Sequence, residues 1–232
     1  MKIIGLLGGM SWESSAEYYR IINETVKEKL GGLHSAKILS YSVDFQEIEG
    51  LQHAGKWDAA TQLMIDAAER IERGGADFLL ICTNTMHKMA DEVASAIKIP
   101  LLHIADATAE SIKHERIRKV GLLGTKFTME QDFYKSRLAE QHGLEVLIPG
   151  KGDRESVHQI IYDELCLGKI LDESRKKFRQ IIQKLVKNGA EGIILGCTEI
   201  PMLVKPEDTA VPLFDTTLIH ARRAVDYALN ET

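Results

Sequence analysis

Cysteine is scarce in this chain. Three residues, Cys82, Cys166 and Cys197, among 232 are too few and too scattered for a disulfide framework. Neither C-x-x-C nor H-E-x-x-H occurs, which removes the usual spacings of a structural zinc site. Long apolar runs are missing as well. Phe78–Cys82 and Gly192–Cys197 fall far short of the ~20 residues that cross a bilayer. The apolar run Ile3–Leu7 is too short for the core of a secretory signal and ends in glycines, so it predicts the first strand of a cytoplasmic protein. Charge of one sign is also lacking. With 29 Lys+Arg against 34 Asp+Glu, a net charge of -5 creates no global field to attract nucleic acid or an anionic membrane. G-x-x-x-x-G-K-[ST] is absent and no good G-x-G-x-x-G occurs, which disfavours a bound nucleotide.

What is present is an ordinary globular composition, 44% hydrophobic and 27% charged, at a length for one large domain or two of about 115 residues. Short β-branched or leucine-rich runs alternate with longer amphipathic stretches. Lys2–Leu7, Ile38–Val43, Asp77–Ile81 and Pro100–Ile104 read as strands. Glu13–Lys29, Asp58–Glu72 and Met86–Ile97 read as helices, the first with Ser11 as N-cap. That alternation predicts an α/β fold with parallel sheets flanked by helices.

The second half repeats the first. Ile4-Gly5-Leu6-Leu7-Gly8 matches Val120-Gly121-Leu122-Leu123-Gly124, Gly75-Ala76-Asp77 matches Gly189-Ala190-Glu191, and Pro100-Leu101 matches Pro212-Leu213. Three segments in one order at nearly one offset predict two pseudo-symmetric lobes. The expected division is 1–105 plus 212–232 for the first lobe and 106–211 for the second, with the last helix at Thr217–Asn230. Ligands of open parallel sheets bind beyond the carboxyl ends of the strands, so the expected active site is the inter-lobe cleft.

Turns after equivalent strands are therefore best read in pairs. Gly8-Gly9-Met10-Ser11 stands against Gly124-Thr125-Lys126-Phe127. These glycines permit either a tight strand-to-helix turn or close approach of backbone to a ligand. Ile81-Cys82-Thr83-Asn84-Thr85 stands against Leu195-Gly196-Cys197-Thr198-Glu199, and the repeat equates Thr83 with Cys197 and Cys82 with Gly196. Successive side chains at a strand end point opposite ways, so Cys82 is expected to point away if Thr83 points into the site. A thiol just before a helix start is expected to have a lowered pKa and to serve as a thiolate. Cys166 reads as a core residue.

These residues resemble a known family. Gly5-Leu6-Leu7-Gly8-Gly9-Met10-Ser11-Trp12-Glu13-Ser14, Cys82-Thr83-Asn84-Thr85-Met86-His87 and Leu195-Gly196-Cys197-Thr198-Glu199-Ile200 together resemble the aspartate/glutamate racemases, in their bacterial L-Asp/Glu-specific or broad-specificity branch. The resemblance implies a cofactor-independent amino-acid racemase with no metal and a homodimeric assembly. It implies Thr83 and Cys197 as catalytic residues and Met10, Gln52, Asn84, Thr85, Thr125, Glu164 and Thr198 as substrate-binding residues. Most family members carry Cys-Asn-Thr in the first half, whereas this chain carries Thr83-Asn84-Thr85, so the two-thiol pair becomes a thiol–hydroxyl pair. Relatives acting on aspartate often place a lysine near Glu164. An acidic group there repels a distal carboxylate and suits an ammonium group, which leaves glutamate, homoserine or other amino acids open.

Racemisation takes a proton from one face of Cα and returns one to the other, with the developing carbanion stabilised by the site. Helix-start amides after Thr83 and Cys197 are candidates to hold the α-carboxylate. Two other readings fit: a superfamily decarboxylase or isomerase needing only Cys197, and a non-catalytic amino-acid-binding protein. The 6% aromatic content argues against an aryl pocket. His87 reads as a hydrogen-bonded structural residue or one that orients Thr83, His103 and Asp106 as a local turn contact, Glu199 as a helix cap or ligand contact, and Arg175-Lys176-Lys177 as a solvated helix face.

Overall fold

The computed structural model describes residues 1–230. They divide into one unit of residues 1–104 with those from His220 onward, and a second of Ala105–Ile219. Both are parallel sheets flanked by helices.

The first unit begins with β1 (Ile4–Gly8), buried along its whole length as an apolar central strand of a parallel sheet must be. The helix α1 (Trp12–Leu30) starts at Ser11, whose side chain accepts the Ser14 N–H. Glu13 lies in its first turn, and Lys27 and Lys29 in its last, matching the helix dipole at both ends. After β2 (Ile38–Ser42), α2 (Phe45–His53) and α3 (Trp57–Arg73) comes β3 (Phe78–Ile81). The strand order is β2-β1-β3. Period-two alternation gives the sheet two apolar faces. Leu7, Leu79 and Ile81 pack with Met64, Ala67 and Ile71 of α3. Ile4, Leu6, Phe78, Leu80 and Cys82 pack with α1 residues and with Ala221, Ala224 and Val225.

Two expected elements differ in this unit. The stretch Met86–Ile97 is a 3-10 turn, Thr85–Met89, followed by α4 (Ala90–Ala96), because Met89 leaves helical geometry at φ -111°, ψ 22°. Pro100–Ile104 is not a full strand. It forms a single bridge, Leu79 to Leu101, before the chain turns into α5 (Ile104–His114).

The second unit continues with β4 (Lys119–Gly124), α6 (Lys126–Glu130), α7 (Asp132–Ser136) and β5 (Glu145–Leu147). Next come α8 (Lys151–Asp163), α9 (Asp172–Lys187), β6 (Gly192–Gly196), α10 (Ile200–Leu203), β7 (Leu213–Asp215) and α11 (Thr216–Leu229). The strand order is β5-β4-β6-β7. Here the expected boundary is corrected. Because β7 pairs with β6, residues 212–219 group with the second unit, and only the chain from His220 returns to the first.

Candidate active site

The strand registers equate the two turns. In the first unit Leu7 of β1 pairs with Ile81, and in the second Leu123 of β4 pairs with Leu195. Since β1 and β4 are the matched segments, Ile81 corresponds to Leu195, Cys82 to Gly196 and Thr83 to Cys197. Each unit thus carries a proton-bearing side chain two positions beyond an equivalent strand residue.

Cys82 is fully buried among Ile4, Leu6, Phe78 and Leu80, and burial pushes its thiol far above the ordinary range. Its carbonyl accepts the Ser14 hydroxyl at 2.8 Å. This cysteine is a core residue. Thr83 follows on the opposite parity and is only partly buried. Its carbonyl accepts from His87 Nδ1 at 2.7 Å, while His87 Nε2 accepts the Ile104 N–H at 3.2 Å. The imidazole therefore carries its proton on Nδ1 and ties the Thr83 turn to the start of α5. His103 stacks edge-on at 4.5 Å between ring centroids. His220 lies at 5.9 Å, donating from Nε2 to the Leu102 carbonyl and accepting the Tyr18 hydroxyl at Nδ1. His87 has the hydrogen-bonded role the sequence offered for it, but nothing in the sequence joined it to Tyr18 and His220, which are 202 positions apart. Losing the Nδ1 donor frees the Thr83 peptide. His87→Leu is expected to lower turnover about tenfold, while His87→Asn, whose amide nitrogen sits near the Nδ1 position, retains more. Steady-state rates with melting curves check this.

Beside this turn, Gln52 on α2 is 4% exposed. Its Nε2 donates to Met86 Sδ at 2.9 Å, and its buried Oε1 has no partner among the described residues. A buried amide oxygen without a donor costs stability, so Gln52 is suited to an incoming ammonium or hydroxyl group. Met10 and Met86 belong to one apolar cluster, and Asn84 and Thr85 are buried. The glycines before Met10 answer to the fold. A Cβ on Gly9, at φ +93°, would stand 2.2 Å from the Val43 carbonyl oxygen.

In the second unit Cys197 is 9% exposed. Its Sγ donates to Glu199 Oε2 at 2.9 Å, and the Thr198 hydroxyl donates to the same oxygen at 2.6 Å. The expected lowering of the thiol pKa is corrected: burial and the Glu199 carboxylate push it well above its ordinary value. The following helix α10 has only four residues, too short a dipole to offset them. Glu199 makes no side-chain cap bond, and its Oε2 accepts from both the thiol and the Thr198 hydroxyl.

The other expected residues are placed more loosely. Thr125 caps α6, accepting the Thr128 N–H, and stands at the end of β4 beside β6, where Gly124 pairs with Gly196. Glu164 ends α8 and accepts the Ser174 hydroxyl. No hydrogen bond joins it to Cys197 or Thr198 among those described. The 3-10 turn Leu165–Leu167 after it packs against α10. Asp106 is not a local turn contact but binds Arg137 and His142, and Arg175 is not simply solvated but pairs with Asp208 and Glu207. No group of three or more metal-ligating side chains occurs among the described residues, and no described helix is long and apolar enough to cross a membrane.

The family model for Asp/Glu/Hydantoin racemase matches residues 7–224. The chain belongs to the Asp/Glu/Hydantoin racemase family. Among its relatives, the broad specificity amino-acid racemase RacX of Bacillus subtilis is 23% identical over 96% of each chain. A crystal structure from Yersinia pestis, of a protein proposed to be an Asp/Glu racemase, is 59% identical with a TM-score of 0.93, covering 99% of this chain and 100% of that one. An aspartate racemase homologue from Pyrococcus horikoshii is 37% identical with a TM-score of 0.86, at the same coverage. Family membership brings the enzyme class and the reaction type, amino-acid racemisation.

Proposed function

We propose that the chain racemises an acidic or similarly small amino acid without a cofactor, with Cys197 and Thr83 acting on opposite faces of one Cα. The observation that carries this reading is the register equivalence of Thr83 and Cys197, each two positions beyond an equivalent, buried strand residue. In one direction the Cys197 thiolate takes the Cα proton, becoming the thiol. The Thr83 hydroxyl, directly or through a water, gives a proton to the other face and is restored from solvent. To restore the thiolate, the Cys197 thiol, bonded to Glu199 Oε2, loses its proton to solvent. Gln52 Oε1 takes the ammonium group, and Asn84 and the neighbouring threonines hold the α-carboxylate. Glutamate, aspartate and homoserine are the first substrates to try, and the family resemblance extends the reading to a homodimer, which sedimentation equilibrium tests.

The direct test incubates L- and D-amino acids in D2O without added cofactor, following the Cα proton by NMR and the optical rotation. Exchange with inversion is expected. Because enantiomers have equal free energy in water, kcat/KM must be equal in the two directions. Carbon dioxide release, or binding without exchange, defeats the proposal. Complete loss of turnover in Cys82→Ser with no loss in Thr83→Ala defeats the residue assignment.

The raised thiol also has a pH signature. The reactive form is the thiolate, so kcat/KM rises with pH as Cys197 deprotonates. The Glu199 charge opposes that ionisation, so Glu199→Gln is expected to move the rising limb to lower pH. A pH–rate profile of both proteins checks the direction.

A further inference from the structure

Three helices in this chain close in one way before entering a strand. At the end of α3, Gly75 N–H donates to Glu72 O and Ala76 N–H to Ile71 O. At the end of α9, Gly189 N–H donates to Val186 O and Ala190 N–H to Leu185 O. At the end of α5, Arg116 N–H donates to Lys113 O and Ile117 N–H to Ile112 O. This closure puts its central residue in the left-handed region, where glycine is favoured. Gly75 and Gly189 have φ of 95° and 97°, but the third position is Arg116 at φ 60°. A left-handed conformation is costly for a residue with a Cβ, and such outliers concentrate at functional positions. The basic residues of the last turn, Lys113 and His114, already complement the negative end of α5, and Arg116 lies beyond that turn.

The surroundings suggest what the side chain is for. Lys113, Arg116, Ile117, Arg118, His142 and Leu144 line a hollow of about 400 Å³ whose lining includes no carboxylate. Other arginines are matched: Arg137 with Asp106, Arg154 with Glu130, Arg175 with Asp208, and Arg70 over the Tyr41 ring. For Arg116, Arg118 and Lys113 the structure shows no side-chain hydrogen bond or ion pair to a described residue. The acids nearby are occupied. Asp106 is held by Arg137 and His142, Glu145 by Lys119, and Glu191 by the backbone amides of Arg118 and Lys119. Glu115 is exposed and faces His114 at 3.9 Å. In a chain with more acids than bases, cations without an ion pair that converge on one hollow, Arg118 with only the nearby charge of Glu191, imply an anion that completes them.

The geometry points to a binding site for a small phosphate-bearing molecule at this hollow. Two guanidinium forks and an ammonium group suit an anion with several oxygens and more than one charge, and the volume falls in the range of small-ligand sites. The hollow lies by the amino end of β4, the opposite end of the second sheet from Cys197 after β6. An occupant would therefore be an effector rather than a substrate.

Titration calorimetry of the full-length protein at low ionic strength tests this with sodium pyrophosphate as the probe and ADP as a second arm. Saturable pyrophosphate binding is expected, weakened at least tenfold in both Arg116→Gly and Arg118→Ala and unchanged in the control Arg20→Ala, an arginine of α1 paired with Glu17 and Glu24. Tighter binding of ADP would assign an organic phosphate, and equal binding a free diphosphate. Arg116→Gly supplies the residue the backbone prefers, so it should melt no lower than the parent, and misfolding cannot account for lost binding. No saturable binding by the parent protein, or binding by the two variants as tight as the parent's, overturns the proposal. So does a change of oligomeric state in the variants without a change in binding, which would make the hollow a contact between copies.

Discussion

Cys197→Ser is expected to lower racemisation at least ~10²-fold, the low end for loss of a positioned acid or base. Burial and the Glu199 carboxylate already oppose ionisation of the thiol, and a serine hydroxyl is far less acidic still. With Glu199 unchanged the variant keeps an acceptor at 2.9 Å from the former Sγ, so the fold should survive and the defect should lie in the proton step. The measurement is the rate of solvent-deuterium incorporation at Cα alongside inversion. Both should fall together, because the variant lacks the group that removes the proton. A variant that still exchanges at near the parental rate would show that Cys197 does not perform abstraction.

Gly9→Ala is expected to affect folding rather than chemistry. Its φ of +93° is unfavourable for any residue with a Cβ, and that carbon would stand 2.2 Å from Val43 O and 2.6 Å from Val43 N. Backbone strain of about 1–3 kcal/mol and overpacking of about 1–3 kcal/mol combine against a total stability of about 5–15 kcal/mol. The Gly9 amide also donates to Ser15 Oγ at 2.7 Å, so a shift of this turn disturbs the start of α1. Urea unfolding should show a loss of about 2–6 kcal/mol, the sum of those ranges. A loss below about 1 kcal/mol would mean that the β1–α1 turn relaxes cheaply, which interior packing rarely permits.

The elements the sequence disclosed are those written as local patterns. Buried strands such as Ile4–Gly8 and Gly192–Gly196 are short apolar runs bounded by glycine, and α1 announces itself through Ser11 and its charged ends. The internal repeat carried more, because its offset fixed which turn residues correspond, and the strand registers reproduce that correspondence. Properties set by contacts distant in sequence were not legible. The membership of β7 depends on pairing with β6, which no local pattern reports. The protonation of Cys197 depends on how deeply it is buried and where the Glu199 side chain turns. The glycine pair before Met10 left two readings open until Val43 was seen above it.

The bond from Cys197 to Glu199 has a consequence for survival under oxidative stress. Peroxides attack the sulfur anion far faster than the protonated form, and over-oxidation past the sulfenic acid is irreversible for most proteins. A sulfur that burial and the neighbouring carboxylate keep protonated spends little time in its vulnerable form. Under the proposed role of Cys197, the slower start this imposes on each turnover is offset by a sulfur shielded from the reagents that would destroy it.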